Sequence, residues 1–335
     1  MFRQLSTVLI VSLLLSEAHS LDAATRHALV VGVSHYPELD QYLQLKGPQN
    51  DVKVVVKLLD SMGFKKQNII VLAENPISNT LPTAKNIRLA FKKLLQITKP
   101  GDFLYMHFSG HGSQQPVNPK NPLHNEVDGL DEIFLPRDVK NWNDAIGAVE
   151  NAIVDNEINQ VVTRLREKNV FVWLVFDSCH AGTMAKDLML LNSKIQSRNV
   201  SPNDLGIPAT LLKYADSQAK QQTLDAKSLT INASVKKNVL DVIDTKDPKI
   251  LAGYIAFYAS QSDELTVELK LPEQGQDQQT YGLFTWILYE VITQQKPSTY
   301  QSLANGILEK YAEHDIEFTP MFEGDSYFEK LFYSM

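Results

Sequence analysis

Two apolar segments of the chain end in small residues, and each of these ends carries a side chain capable of catalysis. Residues 103–108 lead into His111, which lies between two glycines, and residues 170–176 lead into Cys179, the only cysteine of the chain. Each segment has the length and composition of a buried strand. An imidazole can take the proton of a thiol, and the thiolate then attacks a carbonyl group. The two contexts together indicate nucleophilic catalysis, although either residue alone is more often structural.

Strand and helix patterns alternate along the chain, which predicts an α/β fold with a mostly parallel sheet and helices on both faces. The predicted strands are 27–33, 68–72, 103–108, 170–176 and 254–259, and the predicted helices are 50–62, 82–97, 156–168, 282–293 and 299–314. Open α/β sheets bind their ligands at the carboxyl ends of the strands. Both reactive side chains are therefore expected at the ligand-binding edge.

The composition is that of an ordinary globular protein and excludes several function classes. The chain has 335 residues, of which 44% are hydrophobic, and a net charge of −7. The charge and the absence of a basic stripe with interleaved aromatic residues argue against a nucleic-acid binder. The sequence has neither a phosphate-binding glycine loop nor a metal-binding histidine pair at helical spacing. A single cysteine forms no internal disulfide bond.

The amino terminus has the pattern of a secretory signal peptide over residues 1–20. Arg3 precedes the apolar run 5–15, and small residues follow it, which predicts cleavage after Ser20 and Leu21 as the first mature residue. The run is too short to span a bilayer, so we expect no stable membrane insertion. We expect export to a periplasm or to the medium; an uncleaved anchor and a buried helix are the alternatives.

The rest of the chain divides into three parts by composition. Residues 21–185 form a larger part that contains both reactive side chains, and residues 251–335 form a smaller carboxy-terminal part. Between them, residues 186–250 are rich in Lys, Gln, Ser, Asn and Asp and have little apolar periodicity. This composition predicts a polar, mobile insertion.

The two reactive segments resemble the catalytic motifs of the metacaspases, a group of caspase-like cysteine peptidases. The sequences are FSGHGSQ at 108–114 and DSCHAGT at 177–183. Gly182 stands three residues after Cys179, as in metacaspases, whereas in animal caspases the glycine stands two residues after the cysteine. Weaker matches extend the resemblance over nearly the whole mature chain; they lie at 45–51, 128–132, 153–155, 258–264 and 319–325. The resemblance implies a caspase-like three-layer sandwich around a mostly parallel six-stranded sheet.

The resemblance also assigns catalytic roles. It makes Cys179 the nucleophile and His111 the general base and acid, with the backbone amides of Gly112 and Cys179 binding the oxyanion. His180 is a competing base, but neighbouring side chains in extended backbone point in opposite directions. We therefore expect His111 to be the base.

A substrate pocket is implied by three further matches, Asp51, Ser109 and Asp177. Two carboxylates select a cation and hold a guanidinium through two hydrogen bonds, which implies cleavage after Arg or Lys. Without the resemblance, Asp51 would be interpreted as an exposed charge at a helix start and Asp177 as a turn residue. An enzyme of this preference is expected to cut its own polar insertion, with Arg198 and Lys213 as candidate sites.

Calcium activation, which is common among metacaspases, is left open by the sequence. Asp131 and Asp155 match calcium-ligand positions of the family, and Asn156 replaces the usual Asp, so that one charge is lost. The last ligand position is Lys186, with Asp187 one residue later. Fewer carboxylates and an added cation weaken a calcium site. We expect no required cofactor.

These observations predict an exported, monomeric cysteine endopeptidase that acts on proteins or peptides with a basic residue before the cleaved bond. Two alternatives use the same scaffold. One is a non-catalytic binding protein, which the presence of both reactive residues disfavours. The other is a thiol acyltransferase or peptide ligase, which forms the same acyl-enzyme.

Overall fold

A computed structural model describes residues 24–118, 129–179, 196–215, 217, 251–261, 264–273, 278–313, 318–326 and 331. The predicted signal peptide, residues 1–20, lies outside the described residues, as does most of the predicted insertion. In the described part, no helix is both long enough and apolar enough to cross a membrane.

A six-stranded sheet forms the centre of the molecule. Its strands are β1 (Arg26–Gly32), β2 (Ile69–Leu72), β3 (Phe103–Ser109), β9 (Phe171–Asp177), β11 (Tyr254–Tyr258) and β14 (Met321–Gly324). Their order across the sheet is β14-β11-β9-β3-β1-β2. All neighbouring pairs are parallel except β11 and β14, which are antiparallel. The five strands predicted from apolar patterns are all present, each within about two residues of its expected bounds.

Helices cover both faces of this sheet, which confirms the predicted sandwich. They are α1 (Gly47–Ser61), α2 (Ala84–Ile97), α3 (Asp155–Glu167), α4 (Leu283–Glu290) and α5 (Tyr300–Glu313). Helix α2 begins two residues after the predicted start, because the Thr83 hydroxyl accepts a hydrogen bond from the Asn86 amide and caps the helix there. Helix α1 begins three residues earlier than predicted, with a proline in its first turn.

Alternate residues of the strands pack into two apolar layers. Helices α2 and α3 pack on one face, against a layer that includes Leu104, Met106 and Leu174. Helices α1, α4 and α5 pack on the other face, against Tyr105 and Trp173 among others. Because both faces are covered, the central strands are apolar almost throughout.

Smaller sheets formed by the remaining strands lie beside the main one. Strands β4 (Gly112–Pro116), β5 (Leu130–Phe134) and β8 (Ile153–Val154) form one sheet, β10 (Gln196–Ser197), β12 (Val267–Leu271) and β13 (Gln279–Gly282) another, and β6 (Trp142–Asn143) and β7 (Ala148–Val149) a third. None of these strands was predicted from the sequence. Most of them are short, and their many polar residues hide any alternation of apolar and polar positions.

The described part of the predicted insertion differs from expectation. Residues 196–215 pack against the body of the protein, and Arg198, Val200 and Leu205 are fully buried. The composition predicted mobility because polar residues predominate there. Burial in this segment depends on a few side chains, which compositional averages do not detect.

Candidate active site

The sheet brings the two reactive segments side by side. Strands β3 and β9 are adjacent and parallel, and their register pairs Ser109 with Asp177 at the carboxyl ends. The chain continues two residues beyond each of these positions to His111 and Cys179, and both side chains are fully buried. The predicted meeting of the two motifs at one edge of the sheet is therefore observed.

The imidazole of His111 is held in one orientation by main-chain and aromatic neighbours. Its Nε2 lies 2.7 Å from the carbonyl oxygen of Leu43. The hydroxyl of Tyr36 accepts a hydrogen bond from the His111 main-chain amide, and the two rings lie 5.0 Å apart. Because a carbonyl only accepts, Nε2 carries the proton, and Nδ1 has no hydrogen-bond partner among the described residues. Burial lowers the pKa of His111 to about 4, so the ring is neutral at pH 7 and Nδ1 is a base.

Cys179 contributes both its main-chain amide and its thiol to the site. The amide points to the carbonyl oxygen of Arg198, 3.4 Å away. The thiol donates a hydrogen bond to the carbonyl oxygen of Glu264 at 2.9 Å. The predicted competing base, His180, lies outside the described residues.

A guanidinium from the chain itself fills the predicted substrate pocket. The Nη2 of Arg198 lies 2.6 Å from Oδ2 of Asp51, and its Nη1 lies 3.1 Å from Oδ2 of Asp177. Nη1 also donates to the hydroxyl of Ser109 at 3.0 Å. The three residues assigned to the pocket from the resemblance therefore meet around one arginine, and all four side chains are fully buried.

The amino-terminal end of helix α4 holds both pocket carboxylates. The amide of Gly282, at the start of the helix, donates to Asp51, and the amide and hydroxyl of Thr285 donate to Asp177. A helix start favours negative charge. Burial raises the pKa of Asp51 to about 6, and the nearby guanidinium of Arg198 opposes that rise. A side chain at Gly282 would collide with the guanidinium and with Asp177, so the pocket requires glycine there.

A third carboxylate, Glu268, was missed by the sequence analysis. Its Oε2 lies 3.8 Å from Nη2 of Arg198, and its two oxygens accept hydrogen bonds from the amides of Lys46 and Gly47 at the start of α1. Glu268 lies on β12, a strand that the apolar pattern did not predict. No feature of the sequence indicated that this glutamate reaches the pocket.

A buried relay of hydrogen bonds runs from Tyr105 through His107 and Thr285 to Asp177. The Thr285 hydroxyl donates to Asp177 at 2.6 Å and so accepts from Nε2 of His107, 3.2 Å away. Nδ1 of His107 then accepts from the hydroxyl of Tyr105 at 3.0 Å. Burial lowers the pKa of His107 to about 4, so this ring is neutral as the relay requires. The relay directs one hydroxyl donor at the carboxylate.

The main chain around Arg198 is hydrogen-bonded to the protein on both sides of that residue. Upstream of Arg198, β10 pairs antiparallel with β12. At Arg198 the carbonyl oxygen accepts hydrogen bonds from the amides of Gly112 at 3.0 Å and Cys179 at 3.4 Å. These are the two amides predicted to bind an oxyanion, and here they converge on one carbonyl, beside the imidazole of His111.

The residues considered for calcium are only partly brought together. The side-chain amide of Asn156 lies 3.4 Å from Oδ1 of Asp131, and one buried oxygen of Asp155 has no hydrogen-bond partner among the described residues. Burial, with the negative charges of neighbouring carboxylates, raises the pKa of Asp155 to about 6. Asp187 lies outside the described residues, and within the described ones no three acidic, His or Cys side chains form a metal site. The described residues do not make a complete calcium site.

Comparison with known proteins gives consistent matches. Residues 26–188 match the family model described as metacaspase, peptidase C14 domain. Metacaspase-1A of Aspergillus oryzae is 27% identical over 297 residues, covering 86% of this chain and 65% of that protein. Metacaspase-1B of Aspergillus fumigatus is 28% identical over 292 residues, covering 84% of this chain and 65% of that protein. The chain thus spans just under two thirds of the length of these relatives.

A solved structure supports the fold. The crystal structure of protein GSU0716 from Geobacter sulfurreducens matches with a TM-score of 0.55 and 20% identity, covering 90% of this chain and 93% of that one. Taken with the family model and the curated relatives, the six-stranded sandwich makes the chain similar to the metacaspases of peptidase family C14.

Proposed function

We propose that the protein is a cysteine endopeptidase that cleaves after arginine, and less efficiently after lysine, through Cys179 and His111. One observation carries the proposal: the Arg198 guanidinium lies among the pocket carboxylates while the Arg198 carbonyl faces the amides of Gly112 and Cys179. A substrate needs both arrangements at once. The chain therefore presents its own Arg198–Asn199 bond as a substrate would be presented.

The proposed mechanism uses only side chains and amides of this chain. The Cys179 thiol turns from Glu264 and gives its proton to Nδ1 of His111, and the sulfur attacks the carbonyl carbon. The amides of Gly112 and Cys179 stabilise the oxyanion. His111 then gives the proton to the departing amine, and water, activated by the same imidazole, hydrolyses the thioester.

The substrate preference follows from the charge of the pocket. Asp51, Asp177 and Glu268 face one guanidinium, which binds two of them through separate nitrogens. Lysine offers a single point charge, so it uses the same pocket less well. A substrate with aspartate before the cleaved bond would place a fourth carboxylate among these three.

Matched peptides that differ only in the residue before the cleaved bond test the proposal. We expect the highest kcat/KM for Arg, a lower value for Lys and no measurable cleavage for Asp, in calcium and in chelator alike, since we propose no required cofactor. Preferred cleavage of the Asp peptide would refute the pocket assignment. Product analysis with an added amine separates hydrolysis from ligation, and a peptidyl thiol reagent separates an enzyme from a binding protein. Export and a monomeric state remain parts of this proposal.

The hydroxyl of Thr285 should contribute to arginine binding. Thr285→Val keeps the shape and the helix amide but removes the hydroxyl that donates to Asp177. A hydrogen bond to a charged group is worth about 1.5–3 kcal/mol, so kcat/KM for the Arg peptide should fall about tenfold or more. Thr285→Ser keeps the donor and should stay close to the unmodified protein. Equal kinetics for the two variants would show that the hydroxyl plays no part.

A further inference from the structure

The main chain through the site is hydrogen-bonded on both sides of the Arg198–Asn199 bond, and the downstream side has its own contacts. Gly112 pairs with Asn199 in a parallel bridge. The Gly112 amide donates to the carbonyl of Arg198, and the Gly112 carbonyl accepts from the amide of Val200, both at 3.0 Å. Main-chain pairing of this kind binds an extended peptide whatever its sequence.

Val200, the second residue after the bond, adds contacts that depend on side chains. Its side chain is fully buried and belongs to the apolar cluster that includes Phe134 and Leu135. The hydroxyl of Ser113 donates to the Val200 carbonyl at 2.6 Å. Ser113, on β4, is itself fully buried. The position therefore combines a closed apolar site with one fixed donor.

We propose that Ser113 and the apolar site around Val200 form a substrate subsite that selects a small aliphatic residue two positions after the cleaved bond. Val200 is its occupant within the chain, and Ser113 is a positioning residue. The closed apolar surroundings admit no charged side chain, because an unpaired charge is costly to bury. The proposal rests on the peptidase function proposed above and adds a second determinant of which bonds are cut.

The proposal predicts opposite effects on two reactions of the same protein. Cleavage after Arg198 uses the subsite, because Val200 holds the bond in place. Hydrolysis of a short arginine coumarylamide does not use it, because this substrate has no residue beyond the leaving group. Loosening Val200 should also release Arg198 from the pocket, which opens the pocket to the short substrate.

Four variants test the proposal, with rates expressed per active site counted by a peptidyl thiol reagent. Val200→Asp should cut itself at least tenfold more slowly and hydrolyse the coumarylamide no more slowly than the unmodified protein. Val200→Ala, which keeps a small apolar side chain, should cut itself at a rate within about threefold of the unmodified one. Ser113→Ala should lower the ratio of the self-cleavage rate to the coumarylamide rate by about three- to tenfold, as loss of one hydrogen bond implies. Ser113→Thr, which keeps the hydroxyl, should restore that ratio.

Two results would overturn the subsite. One is self-cleavage of Val200→Asp at the unmodified rate; the other is an unchanged ratio in Ser113→Ala, which also decides the matter if Val200→Asp does not fold. If the unmodified protein neither cuts itself nor hydrolyses the coumarylamide, the proposed peptidase function fails and the subsite fails with it. If the unmodified protein cuts itself and either of these two results is found, the peptidase proposal stands and only the subsite is removed.

Discussion

Cys179→Ala should leave the protein as one intact chain under conditions in which the unmodified protein is cut between Arg198 and Asn199. The bond is already in place, with the Arg198 guanidinium in its pocket and the carbonyl against two amides. Only the attacking sulfur is removed by the substitution, and little volume changes with it. Loss of the nucleophile removes the whole reaction, so this is the largest effect that we expect.

Mass spectrometry of the denatured protein over a time course measures this cleavage. His111→Ala should behave like Cys179→Ala, whereas His180→Ala should still be cut. Arg198→Gln should abolish this cut and leave the nucleophile intact, as its reaction with a peptidyl thiol reagent would show. Lys213, the second candidate from the sequence, lies exposed on the segment that follows, and the pocket contains Arg198 instead. A cut in the Cys179→Ala protein would exclude Cys179 as the nucleophile.

Asp51→Asn should lower kcat/KM for an Arg peptide by roughly 10- to 100-fold. The carboxylate makes a 2.6 Å charge-assisted contact with the guanidinium, and such contacts are typically worth about 1.5–3 kcal/mol. The NH2 group of the asparagine side chain, a hydrogen-bond donor, would also lie against the guanidinium, which only donates. The fold should persist, because Arg198 keeps Asp177 and Glu268 as charged partners.

The pH dependence gives this prediction a second measurement. With Arg198 bound, the pKa of Asp51 is raised to about 6 by burial, and the guanidinium opposes the rise. As the pH falls through 6, Asp51 takes up a proton and the pocket loses attraction for arginine. The kcat/KM of the unmodified protein reports the pocket without bound arginine, where no guanidinium opposes the rise in the pKa of Asp51. It should therefore begin to fall at a pH above 6, and Asp51→Asn should lose that dependence. A profile shared by both proteins would assign the titration to another group.

The central part of the fold could be predicted because its pattern is local. Strands β3 and β9 are continuous apolar runs that end in small residues, and they placed His111 and Cys179 at one edge of the sheet. Helix α2 lies within two residues of the bounds predicted for it. These features depend on residues a few positions apart, which a single sequence displays.

The contributions of Glu268 and Thr285 to the pocket could not be predicted in the same way. Glu268 reaches the amides of Lys46 and Gly47 across more than two hundred residues, and Thr285 reaches Asp177 across more than one hundred. Their positions depend on how the second sheet and helix α4 pack on the first part. The two-residue strand β10 is too short to show a period, so the burial of Arg198 in the pocket left no pattern in the sequence either.

The position of β11 has a consequence for the protein after cleavage. This strand lies downstream of Arg198 in the chain, yet it is hydrogen-bonded along five residues to β9, which lies upstream. A cut at Arg198 would therefore give two polypeptides that share one continuous sheet and two common cores. The pair would be an obligate heterodimer made from one gene product, with the pocket at its interface: Asp51 and Asp177 from one polypeptide, Glu268 and Thr285 from the other. Neither polypeptide alone would contain a complete site.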